Sequence, residues 1–242
     1  TAGTYTYVVT DSHGCSATKT LSITQPSQLT ASATNGTIGG FGGTTTVNVT
    51  ATGGTSPYTG TGIYTVGAGA YSYTITDANG CTTIITGTIS QPGPLTATAT
   101  VTGSIACHGG TTTVNVSANG GVGPYTGTGN FNVTAGTYTY LVTDANSNTV
   151  IATVTVTEPS QLLVNSANGN IFCFGGTTTV NITANGGTSP YTGTGIFTVT
   201  AGTYTYVVTD SHGCSATKTL TITQPSQLTA SATNGTISGF GG

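Results

Sequence analysis

Few side chains in this 242-residue chain could take part in catalysis, and they form no recognisable catalytic arrangement. Asp11-Ser12-His13 contains the three residue types of a hydrolytic triad. Three adjacent residues in one turn cannot adopt the geometry in which an acid orients a histidine that activates a serine. The corresponding turns read Asp77-Ala78-Asn79 and Asp144-Ala145-Asn146. We therefore predict that the chain is not an enzyme.

Metal and cofactor chemistry also has little support in the sequence. His108 follows Cys107, but phenylalanine stands at the matching positions, and no four-ligand zinc set can be assembled. Four similar turns each carry one aspartate, predicted to cap the turn through Asx hydrogen bonds. These residues are Asp11, Asp77, Asp144 and Asp210. Calcium is the alternative ligand, but one carboxylate supplies fewer oxygens than calcium requires. We expect no metal and no cofactor.

The only two basic residues, Lys19 and Lys218, fall on the inward parity of a predicted final strand. An inward lysine on an edge strand discourages edge-to-edge pairing of sheets. The alternative is an isopeptide bond to an asparagine, which would lower the intact mass by one ammonia.

The composition argues against two classes of partner. Charged residues make up 3% of the chain and the net charge is −3, so no basic surface is available for nucleic acid. No run of about 18 apolar residues predicts a membrane span. No charged and apolar leader opens the chain, so we expect no signal peptide within it.

Threonines alternate along several predicted strands, for example from Thr44 to Thr50. Alternate strand residues share one face about 6.7 Å apart, a spacing that could match an ice lattice. Sheet twist argues against that function, and ordinary strand propensity also accounts for the pattern. Asn48, Asn115 and Asn181 interrupt the rows and begin Asn-x-Thr/Ser patterns.

These residues belong to a strand pattern that occurs four times. The stretch from Ala135 to Asp144 has copies that begin at Ala2, Gly69 and Ala201. Two tyrosines and a Val or Ile share one parity in each copy, which predicts a half-buried strand. The predicted core tyrosines are Tyr5, Tyr7, Tyr71, Tyr73, Tyr138, Tyr140, Tyr204 and Tyr206.

The chain repeats itself at two periods. Equivalent turn positions lie 66, 67 and 66 residues apart, and residues 1–43 match residues 200–242 at all but two positions. We expect the chain to be a window on a longer array. The predicted segments are 1–28 (the C-terminal part of a repeat), the complete repeats 29–94, 95–161 and 162–227, and 228–242 (the start of the next repeat).

Six short alternating strands are predicted in each complete repeat, with turns between them and no helical period. In residues 95–161 the second strand covers residues 111–118, and Pro124-Tyr125 opens a short third strand. This pattern predicts an all-β fold, a tandem, head-to-tail array of small immunoglobulin-like β-sandwich repeats of about 66 residues. Short linkers that contain proline predict a stiff rod of about 40 Å per repeat.

Four motifs together resemble the SprB repeat family. They are I-x-C-x-G-G (residues 105–110 and 171–176), G-G-x-x-P-Y (120–125 and 186–191), A-G-T-Y-x-x-x-V-T-D-x-x-G-C (201–214) and T-Q-P-S-x-L (223–228). The resemblance covers the whole chain. It implies a very large surface protein of gliding Bacteroidetes, exported by type IX secretion and acting in cell adhesion and gliding motility.

Export implies oxidising surroundings in which cysteines pair. Each repeat has a first-turn position (Gly40, Cys107, Cys173 and Gly239) and a hairpin-turn position (Cys15, Cys81, Asn148 and Cys214). Three pairing schemes compete: within a repeat, hairpin turn to next first turn, and first turn to next hairpin turn. The third scheme leaves no cysteine without a partner if the 199-residue period continues, and it suits the ends at which these turns lie in an immunoglobulin-like sandwich.

The third scheme gives an inter-repeat disulfide between Cys107 and Cys214 as our hypothesis. Cys15, Cys81 and Cys173 would then have partners in repeats outside or at the edge of this window. Free buried cysteines are the alternative.

We interpret the chain as an extracellular, non-enzymatic stalk of a cell-surface adhesin or filament. Its expected partners are neighbouring repeats of the same chain, with surface polysaccharide or the substratum as a further partner. The alternative is a binding array whose Thr/Asn faces hold glycans together with Tyr58, Tyr125 and Tyr191.

Overall fold

The computed structural model describes residues 1–235 and 238–240. Every regular element in these residues is a β-strand, which confirms the all-β prediction. Within the same residues no helix is long and apolar enough to cross a membrane.

The strands are short, and the same succession of strands recurs along the chain. In chain order they are β1 (Gly3–Thr10), β2 (Ser16–Ile23), β3 (Thr30–Asn35), β4 (Thr45–Thr52), β5 (Gly62–Val66), β6 (Gly69–Thr76), β7 (Thr82–Ile89), β8 (Thr96–Val101), β9 (Thr112–Asn119), β10 (Gly129–Val133), β11 (Gly136–Thr143), β12 (Thr149–Val156), β13 (Leu163–Asn168), β14 (Thr178–Asn185), β15 (Gly195–Val199), β16 (Gly202–Thr209) and β17 (Ser215–Ile222).

Two kinds of sheet alternate along the chain. The three-stranded sheets are β3-β4-β5, β8-β9-β10 and β13-β14-β15, each with its second strand in the centre. The two-stranded sheets are the hairpins β1-β2, β6-β7, β11-β12 and β16-β17. Pairing is antiparallel, with Val47 opposite Tyr64 in one kind of sheet and Tyr73 opposite Ile85 in the other.

The predicted third strand is reduced to a single bridge, which corrects the sequence-based expectation. Thr126 pairs with Thr143 in an isolated bridge, and residues 124–128 form no strand. Gly127 has a φ of +80°, a left-handed conformation that ends the extended backbone. A side chain at Gly127 would also collide with the carbonyl oxygen of Leu141.

The described chain divides into two compact units. One contains Thr1–Ala97, Ala118–Gly127 and Leu141–Ile151, and the other contains Thr98–Ser117, Thr128–Tyr140 and the chain from Ala152 onward. This division differs from the five segments expected from the sequence, whose boundaries stay a prediction.

In the first unit, two sheets enclose one apolar core. Val47 and Val49 on β4 are buried, and the intervening Asn48 is exposed. They pack with Ile75 of β6 and Ile89 of β7, so both sheets contribute to the core. The period-two alternation of β4 therefore sets which side chains are buried.

The second unit has a matching core. Val180 and Ile182 on β14 pack with Val208 of β16 and Ile222 of β17. Ile171, in the turn before β14, belongs to the same cluster. The turns that connect these strands are thus attached to a packed core.

Seven of the eight predicted core tyrosines are at least partly buried. Tyr71 and Tyr73 pack against the core of the first unit, and Tyr204 and Tyr206 against that of the second. Tyr5, Tyr138 and Tyr140 are half-buried. Tyr7 is the exception at 57% exposed, because nearly every residue of the β1-β2 hairpin faces solvent.

Candidate functional site

Two kinds of turn carry the polar and sulfur chemistry of the chain. We call residues 38–43, 105–110 and 171–176 the first turns, since they follow the first strand of each complete segment. We call residues 11–15, 77–81, 144–148 and 210–214 the hairpin turns, since they connect the two strands of each hairpin.

An aspartate organises each hairpin turn. Oδ1 of Asp210 accepts the backbone N–H groups of His212 and Cys214, both at 2.9 Å. Asp77 and Asp144 accept equivalent donors at distances between 2.8 and 3.0 Å. Asp11 makes the same Oδ1 contacts at 2.9 Å. The four aspartates therefore act as turn caps.

The second carboxylate oxygen reaches a different turn, which the sequence analysis did not anticipate. Oδ2 of Asp210 accepts the N–H of Thr188 at 2.9 Å, and Oδ2 of Asp77 accepts that of Thr55 at the same distance. The signal in the sequence is the Gly-Gly pair directly before each of these donor threonines. A side chain on Gly54 would lie 2.6 Å from Oδ2 of Asp77, so only glycine leaves room for the carboxylate.

These contacts lower the pKa of the carboxyl groups. The N–H of Thr188 is the main cause of the lowered pKa of Asp210. The side-chain amide of Asn148 lowers the pKa of Asp144 most. Burial raises the pKa of Asp77, but its backbone N–H donors outweigh burial and leave the pKa below its usual value. The carboxylates are thus held ionised as acceptors of backbone N–H groups.

The residues Asp11, Ser12 and His13 do not form a catalytic triad. Oδ1 of Asp11 accepts the backbone N–H of His13 rather than a ring N–H. Nδ1 of the same histidine lies 3.4 Å from Oγ of Ser12 within the exposed turn. Within residues 1–235 and 238–240, no group of three or more His, Cys, Asp or Glu side chains is placed to hold a metal ion.

The linker that enters each complete segment is fixed to the same Gly-Gly pair. Gly54 donates its N–H to the carbonyl oxygen of Ser27 at 2.7 Å. Gly187 donates to Ser160 at 2.8 Å in the same way. A side chain on the preceding glycine, Gly53, would collide with the carbonyl oxygen of Gln28. The linkers are therefore held against the segment that they enter.

The linker that leaves a segment is tied to its first turn. Gly42 donates its N–H to Oε1 of Gln91 at 2.8 Å, and Gly175 donates to Gln224 at the same distance. In the remaining first turn Gly109 donates to Oε2 of Glu158 at 2.6 Å. His108 adds a contact from Nδ1 to Oε1 of Glu158 at 3.1 Å.

The second unit contains a disulfide between a first turn and a hairpin turn. Cys107 and Cys214 are bonded, with their Cα atoms 5.6 Å apart and a sequence separation of 107. This bond links the predicted segments 95–161 and 162–227. The structure thus brings together the two cysteines that the third pairing scheme joins.

The first unit makes the equivalent contact without sulfur. Nδ2 of Asn146 and Nδ2 of Asn148 donate to the carbonyl oxygen of Gly39 at 2.8 and 3.1 Å. Nδ2 of Asn148 also donates to Oδ2 of Asp144 at 2.9 Å. A Cβ on Gly40 would lie 2.5 Å from Oδ1 of Asn148, so this contact requires glycine. Hydrogen bonds therefore replace the disulfide here.

The other sequence-predicted residues are not brought together. Cys15, Cys81 and Cys173 are exposed, and among the described residues they are free thiols. Lys218 stands opposite Tyr206 on the inward parity of its hairpin, yet its side chain is exposed. Lys19 stands opposite Tyr7 in the same way. An isopeptide bond forms between buried partners, and these lysines do not provide that setting.

Comparison with known proteins identifies no family. No protein-family model matches the chain, and no curated protein matches it. The solved N-terminal eight Ig domains of Down Syndrome Cell Adhesion Molecule (DSCAM) isoform 1.30.30 are similar at a TM-score of 0.30. The aligned residues are 10% identical and cover 92% of this chain and 51% of that chain. A TM-score at this level supports no conclusion about fold or function.

Proposed function

We propose that the chain is a stalk or filament segment of a very large bacterial cell-surface adhesin that acts in attachment or gliding. In this proposal the segments of about 66 residues are immunoglobulin-like β-sandwiches, arranged head to tail and joined by inter-repeat disulfides. Their role is mechanical: they carry a distal adhesive tip away from the cell. The resemblance to the SprB repeat family supplies the bacterial source and the type IX secretion route.

The observation that carries the proposal is the covalent bond between Cys107 and Cys214. When the chain is pulled, a disulfide between consecutive segments carries the force directly from one cysteine to the other. The chain between the two cysteines then bears no load. The contact of Asn146 and Asn148 with Gly39 occupies the equivalent place in the first unit. A molecule whose function is to resist pulling benefits from such contacts at its junctions, whereas a loosely linked binding array has no use for them.

The same disulfide supports an extracellular location. Disulfides persist in oxidising surroundings and are rare in the reducing cytosol. A surface of Thr, Ser, Asn and Gly with only two lysines also leaves trypsin-like proteases little to cleave. Both properties suit a protein exposed at the cell surface.

The experiment is single-molecule extension of the chain held by its two ends, with and without a reductant. The bond between Cys107 and Cys214, at a sequence separation of 107, shields the intervening chain from the applied force. At about 3.5 Å per extended residue, reduction should add about 370 Å to the fully extended length. The double variant Cys107→Ser/Cys214→Ser should show this longer extension without reductant, and Cys173→Ser, the matched control, should not.

The stalk proposal fails if the extended length is the same in both redox states. It also fails if the fluorescently labelled chain binds surface polysaccharides saturably and in proportion to the number of segments. That second outcome would identify a glycan-binding array.

A further inference from the structure

The chain contains six Asn-Gly pairs, a dipeptide that can modify itself. The glycine nitrogen attacks the side-chain amide carbon of the asparagine, and glycine has no side chain to obstruct the approach. Within a folded chain this reaction is favoured where the two groups are held in contact, about 3–3.5 Å apart. Five pairs lie in turns or at strand ends, at residues 35–36, 79–80, 119–120, 168–169 and 185–186, and the sixth, 234–235, lies in no strand.

In three of these five pairs the glycine N–H is bonded to a backbone carbonyl oxygen of another residue. The N–H groups at positions 36, 80 and 169 donate to the carbonyl oxygens of Thr46, Asp77 and Thr179, at 2.9, 3.0 and 3.2 Å. The nitrogen would have to give up this hydrogen bond before it could attack the neighbouring amide. The fold therefore protects these three asparagines.

The pair Asn185-Gly186 is protected in a different way, through the asparagine side chain. Oδ1 of Asn185, at the end of β14, accepts a hydrogen bond from Nδ2 of Asn165 on β13 at 3.2 Å. This bond between neighbouring strands holds the amide group of Asn185 against β13. The amide would have to leave Asn165 before it could turn toward the Gly186 nitrogen.

The matching pair at the end of β9, Asn119-Gly120, has neither protection. The Gly120 N–H donates to Oδ1 of Asn119 itself at 2.9 Å, so the nitrogen and the amide group that it can attack are already in contact. Thr98 stands where the other segment has Asn165, and its Oγ1 lies 2.8 Å from Oγ of Ser117 instead. Asn119 is exposed, so water can reach it.

We infer that Asn119 is a site of self-modification, at which the Gly120 nitrogen attacks the side-chain amide of Asn119 and converts it to an acid. The bond from the Gly120 nitrogen to Cγ of Asn119 forms, and the bond from Cγ to Nδ2 breaks. The Gly120 nitrogen loses its proton to a base in the solvent, and Nδ2 takes up a proton and leaves as ammonia. Water then opens the cyclic imide at either carbonyl carbon. The products are aspartate and isoaspartate, in which the backbone runs through the former side chain.

The isoaspartate product loosens the linker that precedes β8. It adds one carbon to the backbone beside Gly120, and this glycine has little room to move, since a Cβ on it would collide with the carbonyl oxygen of Pro94. The Gly120 carbonyl oxygen accepts the hydroxyl of Tyr125 at 2.6 Å, and Gly121 donates its N–H to Gly93 at 2.9 Å. The longer backbone cannot keep all of these contacts, so the modification releases the linker from the turn that holds it.

The test is incubation of the purified chain at neutral pH, folded in one sample and unfolded in urea in another, with mass mapping of chymotryptic peptides over time. Asn119 and Asn185 both lie in the sequence Ala-Asn-Gly-Gly, so their local sequences are matched. We expect Asn119 to react several-fold faster than Asn185 in the folded chain, and the two to react at equal rates in urea. The inference is overturned if Asn185 reacts as fast as Asn119 in the folded chain, or if the difference persists in urea.

Two reciprocal variants test the protecting hydrogen bond. Thr98→Asn supplies the amide that Asn165 provides in the other segment, and it should slow the reaction of Asn119 several-fold. Asn165→Thr removes that amide and should speed the reaction of Asn185 several-fold. An unchanged rate in either variant would overturn the inference.

Hydrogen exchange tests the effect on the linker. The N–H of Gly121 should exchange faster in the isoaspartate fraction than in fresh protein, and equal exchange would contradict the release of the linker. None of these results depends on the stalk proposal.

Discussion

At the residue scale, the hairpin-turn aspartates connect neighbouring turns by accepting hydrogen bonds from backbone N–H groups, and they do not act through ion pairs. Each of Asp77, Asp144 and Asp210 accepts hydrogen bonds from two turns that are about 22 residues apart in sequence. These three carboxyl groups are buried. Because the chain has only five acidic residues, they dominate its response to acid.

The pH dependence of stability follows from the lowered pKa values. A carboxyl group with a pKa in the folded state below its unfolded value of 3.8 stabilises the fold above that pH. This contribution is lost as the pH falls through the folded-state pKa. Thermal denaturation followed by circular dichroism should therefore give a constant Tm down to about pH 5 and a falling Tm below about pH 4.

Asp210→Asn is the control for this pH dependence, and it should reduce the loss of Tm at low pH. A Tm that stays constant from pH 5 to about pH 2.5 would contradict the role assigned to the aspartates.

Ser147 is a residue in an unfavourable backbone conformation. Its φ is 66°, in the left-handed region, where the other hairpin turns have Gly14, Gly80 and Gly213. Left-handed conformation costs a residue with a Cβ about 1 kcal/mol relative to glycine. Ser147→Gly should therefore raise the denaturant midpoint by an amount that corresponds to about 1 kcal/mol. Ser104→Gly, outside this turn, should not, and an equal response of both variants would refute the explanation.

At the element scale, the contact between a first turn and a hairpin turn is made by a disulfide in one unit and by hydrogen bonds in the other. Cys107 and Cys214 are bonded in one unit, and Gly39 accepts hydrogen bonds from Asn146 and Asn148 in the other. The backbone setting is similar, since the same aspartate cap and the same Gly-Gly pair shape both hairpin turns. The hydrogen-bonded contact should therefore accept a disulfide.

Gly40→Cys/Asn148→Cys should form this disulfide without reshaping the chain. A Cβ on Gly40 lies 3.0 Å from Cγ of Asn148, which is the position that the new sulfur takes. In a disulfide, a Cβ lies about 3 Å from the far sulfur. In a background with Cys15, Cys81 and Cys173 replaced by serine, intact mass should show two further hydrogens lost, and Tm should rise.

Gly40→Cys alone is the control for this pair, and its thiol should remain titratable. If the double variant keeps two free thiols while Cys107 and Cys214 oxidise, the two contacts are not equivalent.

Much of the element pattern could be predicted because strand parity is local. The alternation of valines in β4 and of tyrosines in β6 gives the buried faces directly. The predicted third strand was wrong, because the left-handed Gly127 lies against the Leu141 carbonyl, a contact between distant residues. The hydrogen bond from the N–H of Thr188 to Asp210 was missed for the same reason, because it also joins residues that are distant in the sequence. For the cysteines, the period of the repeat and the expected ends of the turns favoured one of three pairing schemes, the one that joins Cys107 to Cys214, and the structure contains this bond.

At the scale of the whole molecule, the disulfide closes a long loop, because its two cysteines have a sequence separation of 107. In the loop-entropy model, a bond across so long a loop stabilises the folded state by about 4–5 kcal/mol. The double variant Cys107→Ser/Cys214→Ser should therefore have an unfolding transition with a lower denaturant midpoint. Tyrosine fluorescence reports this transition. Cys173→Ser should leave it unchanged, and equal midpoints for the two variants would argue that the bond has no structural role.

The measurement that tests the account most directly is the disulfide map of the freshly purified chain. Free thiols are blocked first, and the non-reduced protein is then digested with chymotrypsin, since two lysines leave trypsin few sites. The account predicts one crosslinked peptide pair, which joins Cys107 to Cys214, with Cys15, Cys81 and Cys173 blocked. A bond between Cys173 and Cys214 would place both turns at the same end of one segment and contradict the stapled stalk.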